Sequence, residues 1–112
     1  MISGSHVIIY STNAEADRAF FRDVFEMPNV DVGDGWLIFS LPPAELGIHP
    51  AEKNQKHELY FMCENLKLFK EKMELAGVPC SSPHSEPWGE LVDITLPGGG
   101  QLGVYQPHHA RP

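Results

Sequence analysis

The chain has 112 residues, of which 42% are hydrophobic and 21% are charged, a balance that fits one folded domain rather than a disordered segment. Its net charge of −7 argues against a nucleic-acid partner or an anionic membrane surface, because both bind basic faces. No stretch is apolar over enough residues to span a bilayer, and the N-terminus lacks the basic start of a signal peptide, so we expect a cytoplasmic protein.

The first half of the chain predicts a strand, a helix and three further strands. Residues 6–10 are β-branched and aromatic, which is typical of a strand. Thr12 and Glu15 have the spacing of a capping box, so a helix is expected over about residues 14–25, with Asp17 on its solvent side. The three strands that follow are expected at about residues 29–32, 35–41 and 45–49.

The second half predicts the same order of elements after a polar link at residues 50–56. A strand is expected at residues 57–63, and Asn65 is a suitable N-cap for a helix that Gly77 ends. Cys63 and Cys80 lie in apolar segments without metal-ligand spacing, so we expect reduced thiols rather than a disulfide. The remaining strands are expected at about residues 78–81, 89–96 and 101–106, with a glycine-rich hairpin turn between the last two.

A sequence pattern also repeats between the halves. A tryptophan, a Leu-Pro pair and a Leu-Gly-aliphatic triplet follow one another from Trp36, and they recur from Trp88, roughly 55 residues later along the chain. The repeat predicts an α+β fold in which residues 1–112 form a single domain of two tandem βαβββ modules, at about residues 5–50 and 57–107. Whether the modules pair within one chain or between two chains is left open.

Several segments, in the correct order, resemble the vicinal oxygen chelate superfamily, which includes glyoxalase I, extradiol dioxygenases, fosfomycin-resistance enzymes and bleomycin-resistance proteins. Residues 19–25 resemble the family's Phe-Tyr-x-x-x-Leu-Gly helix ending, with Glu26 where glycine is usual. Residues 6–13, 58–66 and 102–107 resemble its first, fifth and last strands. The resemblance implies that the modules form an open, barrel-like cleft that holds a small organic ligand, and that the protein is a homodimer.

The resemblance implies a divalent-metal site of Fe, Mn, Ni or Zn only in part. The family's four ligand positions fall on His6, Gly47, Glu58 and Gly103. Glycine offers no side chain, whereas catalytic metal sites usually have three protein ligands, so a cleft without metal is an equal expectation. Glu58 is the candidate catalytic residue, as a metal ligand or, in an apolar cleft without metal, as a general base.

Strand alternation supplies the other candidate residues. Glu45 and His49 lie two residues either side of Gly47 and are candidate supplements to the metal site. Six aromatic or sulfur-containing residues are expected to line the ligand pocket: Tyr10, Trp36, Tyr60, Met62, Trp88 and Tyr105.

Two ligand-binding functions therefore remain open, besides a domain for protein association with the cleft unused, and the sequence does not decide whether the protein is an enzyme. The first is a glyoxalase- or dioxygenase-like protein with metal-assisted lyase, isomerase or dioxygenase chemistry on an oxygen-chelating substrate. The alternative is a metal-free ligand-binding or sequestering protein of the bleomycin-resistance type.

Overall fold

The computed structural model describes residues 6–45, 47, 50, 52, 54, 57–108 and 110, and within them it contains two helices and six strands. The helices are α1 (Ala14–Asp23) and α2 (Leu66–Leu75). The strands are β1 (Asn29–Asp31), β2 (Leu37–Phe39), β3 (Tyr60–Met62), β4 (His84–Glu86), β5 (Gly89–Thr95) and β6 (Gln101–Pro107). β1 and β2 form an antiparallel pair, while the other strands form a four-stranded sheet in the order β3-β6-β5-β4. The α+β class is confirmed.

The second module has the predicted β-α-β-β-β order, with one strand displaced. β3 runs parallel to β6, and the other neighbours in this sheet are antiparallel. The strand expected at residues 78–81 is reduced to an isolated bridge between Cys80 and Ile94. There the Ser81 hydroxyl accepts a hydrogen bond from the Asp93 amide at 2.9 Å, so a side chain replaces the backbone acceptor and regular pairing resumes only at β4.

The start of α1 differs from the predicted capping box. Asn13 is the N-cap, and its Oδ1 accepts a hydrogen bond from the Ala16 amide at 3.2 Å. The Thr12 hydroxyl instead donates to the carbonyl oxygen of Gly98 at 3.0 Å. Asp17, expected in solvent, is only 6% exposed, and its carboxylate accepts a hydrogen bond from the Gly98 amide at 2.7 Å. The β5–β6 turn therefore packs on the first turn of α1 and joins the two halves of the chain.

The cap and end of α2 are as predicted, whereas α1 is followed by a residue in a strained conformation. Asn65 caps α2 as predicted, accepting from the Leu68 amide at 3.0 Å, and Gly77 follows the helix with a φ of 73°. α1 ends at Asp23, two residues earlier than expected, and Glu26 adopts a left-handed φ of 54°. This is the position where the resembling family usually has glycine, which adopts that conformation without a Cβ penalty.

Both helices cover the same face of the four-stranded sheet. Val92, Ile94 and Val104 are fully buried beneath them, and Phe20 of α1 packs with Met73 of α2 in the same core. Residues from both halves of the chain thus share one hydrophobic core, while the opposite face of the sheet keeps partly exposed side chains.

The first module departs most from its prediction. Residues 6–10 belong to no strand, and the exposed fractions of Val7, Ile8, Ile9 and Tyr10 are 46%, 61%, 41% and 91%. The predicted strand is wrong because β-propensity forms a strand only where another strand completes the ladder, and none of the described residues pairs with this segment. Of the strand expected at residues 45–49, Glu45 and Gly47 lie outside any strand, and residues 46, 48 and 49 are outside the described part of the chain.

Two smaller expectations concern the cysteines and the membrane. Cys63 and Cys80 are free thiols, as predicted. Burial raises the pKa of both thiols above the ordinary value. None of the helices in the described ranges is long and apolar enough to cross a membrane.

Candidate functional site

The candidate site lies on the sheet face opposite the helices, which we call the open face. In the strand register Tyr60 stands beside Gly103, and Gly103 stands beside Asp93. Residues side by side in a sheet point to the same face, and their neighbours in sequence point to the other. Because Val92 and Val104 are buried under the helices, Tyr60, Gly103 and Asp93 belong to the open face.

Gly103 provides the space that the Tyr60 ring fills. A Cβ atom built on Gly103 would lie 2.6 Å from Cε1 of Tyr60, so a larger residue would collide with the ring. At this candidate metal-ligand position the structure therefore places an aromatic side chain of the same chain.

Three aromatic side chains meet on this face, and we call Tyr60, Trp88 and Tyr105 the aromatic cluster. The Tyr60 and Trp88 ring centroids are 5.6 Å apart, Tyr60 and Tyr105 are 6.1 Å apart, and Trp88 and Tyr105 are 4.9 Å apart, all edge to face. Tyr60 is 37% exposed, and the other two are half-buried. The cluster therefore presents a partly exposed aromatic surface.

The backbone around Trp88 fixes its place between β4 and β5. Its carbonyl oxygen accepts a hydrogen bond from the His108 amide at 2.9 Å. The next residue is Gly89, where a Cβ atom would lie 2.5 Å from the Gln106 carbonyl oxygen and 3.0 Å from Cδ2 of Tyr105. The close approach of β5 to β6 thus brings Trp88 against Tyr105.

Carboxylates set the charge of the open face. The Tyr60 hydroxyl donates a hydrogen bond to Oε2 of Glu58 at 2.8 Å. That bond, together with partial burial and the negative charges of Glu58, Asp93 and Glu86, raises the pKa of Tyr60 to about 12. At neutral pH Tyr60 is therefore a neutral hydrogen-bond donor rather than a base or a nucleophile.

The candidate residues from the sequence fall into two groups. Glu58, Tyr60, Trp88 and Tyr105 come together at the aromatic cluster. Met62 stands beside Tyr105 in the register of β3 and β6, and it also lines a groove of about 160 Å³ with Phe25, Phe61 and Phe69. The remaining candidates lie elsewhere. His6 and Tyr10 are exposed, and Trp36 is 61% exposed with the Arg18 guanidinium carbon 4.5 Å from its ring centroid. Glu45 is half-buried outside any strand, and His49 lies outside the described residues.

The donor groups do not fit a divalent-metal site in the part of the chain that the structure describes. No three side chains of histidine, cysteine, aspartate or glutamate converge among these residues. Glu58 is exposed rather than enclosed by apolar residues, and its carboxylate accepts the Tyr60 hydroxyl. Of the candidate ligand positions, Glu58 is thus engaged in a hydrogen bond with Tyr60, and Gly103 is covered by the Tyr60 ring.

Sequence reasoning missed Asp93 and Glu86 as members of the site. Asp93 is the one carboxylate in the apolar run from Leu91 to Leu96, and that isolated charge in a buried strand was a usable signal. Glu86 lies in β4, a strand that the sequence placed elsewhere, so its register could not be anticipated.

No family model and no curated protein matches this chain. Among solved structures, the chain is similar to TnmS3, an antibiotic binding protein from Streptomyces sp. CB03234, with 18% identity over 96% of this chain and 99% of that one and a TM-score of 0.65. Lactoylglutathione lyase from Agrobacterium tumefaciens gives 20% identity, coverage of 93% and 95%, and a TM-score of 0.65. A glyoxylase/bleomycin resistance protein/dioxygenase domain from Frankia sp. EAN1pec is 14% identical over 96% of this chain and 100% of that one, with a TM-score of 0.62.

These similarities confirm, at the level of fold, the resemblance predicted from the sequence. The chain has the vicinal oxygen chelate fold that these glyoxalase, bleomycin-resistance and dioxygenase-like structures represent. Identities of 14–20% carry no further statement about the reaction.

Proposed function

We propose that this protein binds a small organic molecule on the open face, against the aromatic cluster, without requiring a metal ion. The observation that carries the proposal is the partly exposed edge-to-face packing of Tyr60, Trp88 and Tyr105, with the Tyr60 ring seated over Gly103. Aromatic rings give a ligand a large apolar contact area at little entropic cost, and a few polar groups beside them fix its orientation.

The chemistry of the site favours binding over bond breaking. Tyr60 is held neutral by its hydrogen bond to Glu58, and the described residues offer no convergent set of three metal donors. The similarity to an antibiotic binding protein supports the proposal, whereas the equal similarity to a lyase supports the enzymatic alternative, in which Glu58 contributes to catalysis.

A thermal-shift screen tests the proposal and separates the two alternatives. Aromatic compounds, diols, hydroxy-ketones and thiol adducts would be added once with a chelator and once with Fe²⁺, Mn²⁺, Ni²⁺ or Zn²⁺. We expect stabilisation by planar aromatic compounds in both conditions, and loss of that stabilisation in Tyr105→Ala. Hits that appear only with metal and disappear in Glu58→Gln would instead support the metal-dependent enzyme.

We also propose that the protein is a homodimer whose second copy covers the apolar surface of the first half. Residues 7–10 are exposed, and so are Val30, Val32 and Trp36 of the β1–β2 hairpin, at 62%, 60% and 61%. An isolated two-stranded sheet is marginal in water, and large apolar side chains exposed in this number usually mark an interface. The radius of gyration is 15.0 Å, against about 13 Å for a compact chain of this length.

Sedimentation velocity tests the dimer. Ile8→Asp places a charge in the proposed interface and should shift the protein towards monomer. Leu75→Asp is the matched control, because Leu75 is 91% exposed on α2 in the second half of the chain. The dimer would be contradicted if the wild type and both variants all sedimented as monomers. A cytoplasmic location, which the two free thiols support, completes the proposal.

A further inference from the structure

The strands of the open face carry negative charge and no lysine or arginine. β3, β4, β5 and β6 contain neither residue type, whereas Glu86 and Asp93 lie within them and Glu58 lies just before β3. The described lysines, Lys67, Lys70 and Lys72, all lie on α2, which packs against the other face of the sheet. Among the described residues, the acidic side chains of the open face therefore face no lysine or arginine, and His84, in register with Leu91, is the one basic residue type in these strands.

The carboxylates stand beside the aromatic rings rather than apart from them. Glu58 accepts the hydroxyl hydrogen of Tyr60 at 2.8 Å. Asp93 faces Gly103 across β5 and β6, and the Tyr60 ring covers that glycine. In β4, Glu86 pairs with Gly89, one residue after Trp88 in the chain. Tyr60 and Trp88 thus each have at least one acidic neighbour, in register or close in sequence.

This combination selects for positive charge in the ligand. The faces of aromatic rings carry negative electrostatic potential and attract cations, and flanking carboxylates add to that attraction. A neutral ring system gains only the apolar contact, and an anion is repelled by the carboxylates.

We propose that the ligand of the open face is a planar organic cation, selected by the aromatic cluster together with Glu58, Asp93 and Glu86. This inference rests on the proposed function and adds the charge class of the ligand. It identifies Asp93 as a specificity-determining residue, because its strand position beside Gly103 places it next to the Tyr60 ring.

A matched series of three acridines tests the charge preference in the intact protein. N-methylacridinium is a cation, acridine is neutral in mildly alkaline buffer, and acridine-9-carboxylate is an anion, all on one ring system. Isothermal titration calorimetry should show the cation binding about tenfold more tightly than neutral acridine, and the anion more weakly than both. The advantage of the cation should fall as salt is added.

Two carboxylates of the same strand supply the variant and its control. Asp93→Asn removes a charge from the open face and should reduce the preference for the cation at least threefold, about 0.7 kcal/mol. Glu90→Gln removes a charge from the opposite face, where Glu90 accepts the Ser85 hydroxyl at 2.7 Å, and should leave the preference unchanged. Glu86→Gln serves as a second open-face variant should Asp93→Asn lower thermal stability.

The outcomes separate this inference from the proposed function. Equal affinities for all three acridines, weakened by Tyr105→Ala, would overturn the charge preference and leave ligand binding at the cluster intact. Tightest binding of the anion, or an equal effect of Asp93→Asn and Glu90→Gln, would also overturn it. Absence of binding by all three, together with no hit in the thermal-shift screen, would overturn both.

Discussion

Replacing Gly103 with alanine tests whether this glycine exists to seat Tyr60. The added methyl group would lie 2.6 Å from Cε1 of Tyr60, so the ring has to turn away. Turning breaks the 2.8 Å hydrogen bond to Glu58 and the ring contacts with Trp88 and Tyr105, at 5.6 Å and 6.1 Å. The substitution therefore dismantles the aromatic cluster through a single methyl group.

The expected loss of stability follows from those contacts. Each edge-to-face pair contributes about 0.5–1.5 kcal/mol, and the partial exposure of Tyr60 places both pairs towards the lower end of that range. The lost hydrogen bond to Glu58 adds about 0.5–1.5 kcal/mol, and alanine recovers about 0.5 kcal/mol because it restricts the unfolded chain more than glycine does. We expect the free energy of unfolding to fall by about 1–2 kcal/mol in Gly103→Ala, within the usual cost of overpacking.

Urea unfolding followed by circular dichroism, in two backgrounds, measures this effect. In Tyr60→Ala the methyl group meets open space, so only the gain of about 0.5 kcal/mol remains, and the double-mutant cycle should give a coupling of about 1.5–2.5 kcal/mol. Gly100→Ala is the control, because a Cβ atom there has nothing within 4 Å. An equal loss for Gly103→Ala in both backgrounds would show that the Tyr60 ring does not cause the cost.

Three further predictions follow from individual residues. Asp17→Ala should lower the free energy of unfolding by about 1–3 kcal/mol, because the buried carboxylate accepts a hydrogen bond from the Gly98 amide at 2.7 Å. Asp17→Asn keeps an acceptor and should lose less, so equal losses for the two variants in urea unfolding would contradict this role. Glu26→Gly should raise the free energy of unfolding by about 1 kcal/mol by relieving the left-handed φ of 54°, and unchanged stability in the same assay would count against it. In a spectrophotometric pH titration, the tyrosinate signal that is present in the wild type and absent in Tyr60→Phe should give a pKa of about 12 for Tyr60. Glu58→Gln should lower that pKa towards 10.

The pH dependence of stability follows in sign from the Tyr60 shift. The folded state favours the neutral phenol, so the folded pKa lies above the unfolded value of 10. The resulting stabilisation is fully present below pH 10 and is lost as the pH rises towards 12. Tyrosinate formation by Tyr60 near pH 10 in the folded protein would contradict the assignment.

Local signals in the sequence predicted the second half of the chain well. The Asn65 cap, the Gly77 stop and the β5–β6 hairpin all depend on residues close in sequence. Asp17 shows how such signals can be misread. Asp17 precedes Phe20 by three residues and Phe21 by four, so helical spacing puts it on the same buried face as these two side chains. The expectation that Asp17 is exposed to solvent rested on its charge alone.

Features that depend on partners distant in sequence could not be predicted. The segment at residues 6–10 has strand propensity, but pairing needs a neighbour that the sequence does not specify. Tyr60, Trp88 and Tyr105 were each expected near a pocket, yet their mutual contact depends on the parallel register of β3 with β6. The same register decides that Gly103 seats a ring instead of marking an empty ligand position.

Fluorescence of single-tryptophan variants tests whether a ligand binds at the aromatic cluster without a metal ion. Trp36→Phe leaves Trp88 as the reporter, and Trp88→Phe leaves Trp36 beside Arg18. Each variant would be titrated, in the presence of a chelator, with the compound that stabilises the wild type most. In Trp36→Phe, we expect a saturable change in Trp88 fluorescence with the wild-type Kd. In Trp88→Phe, we expect weaker binding and no specific change in Trp36 fluorescence. A response that follows Trp36, or one that appears only after metal is added, would contradict it.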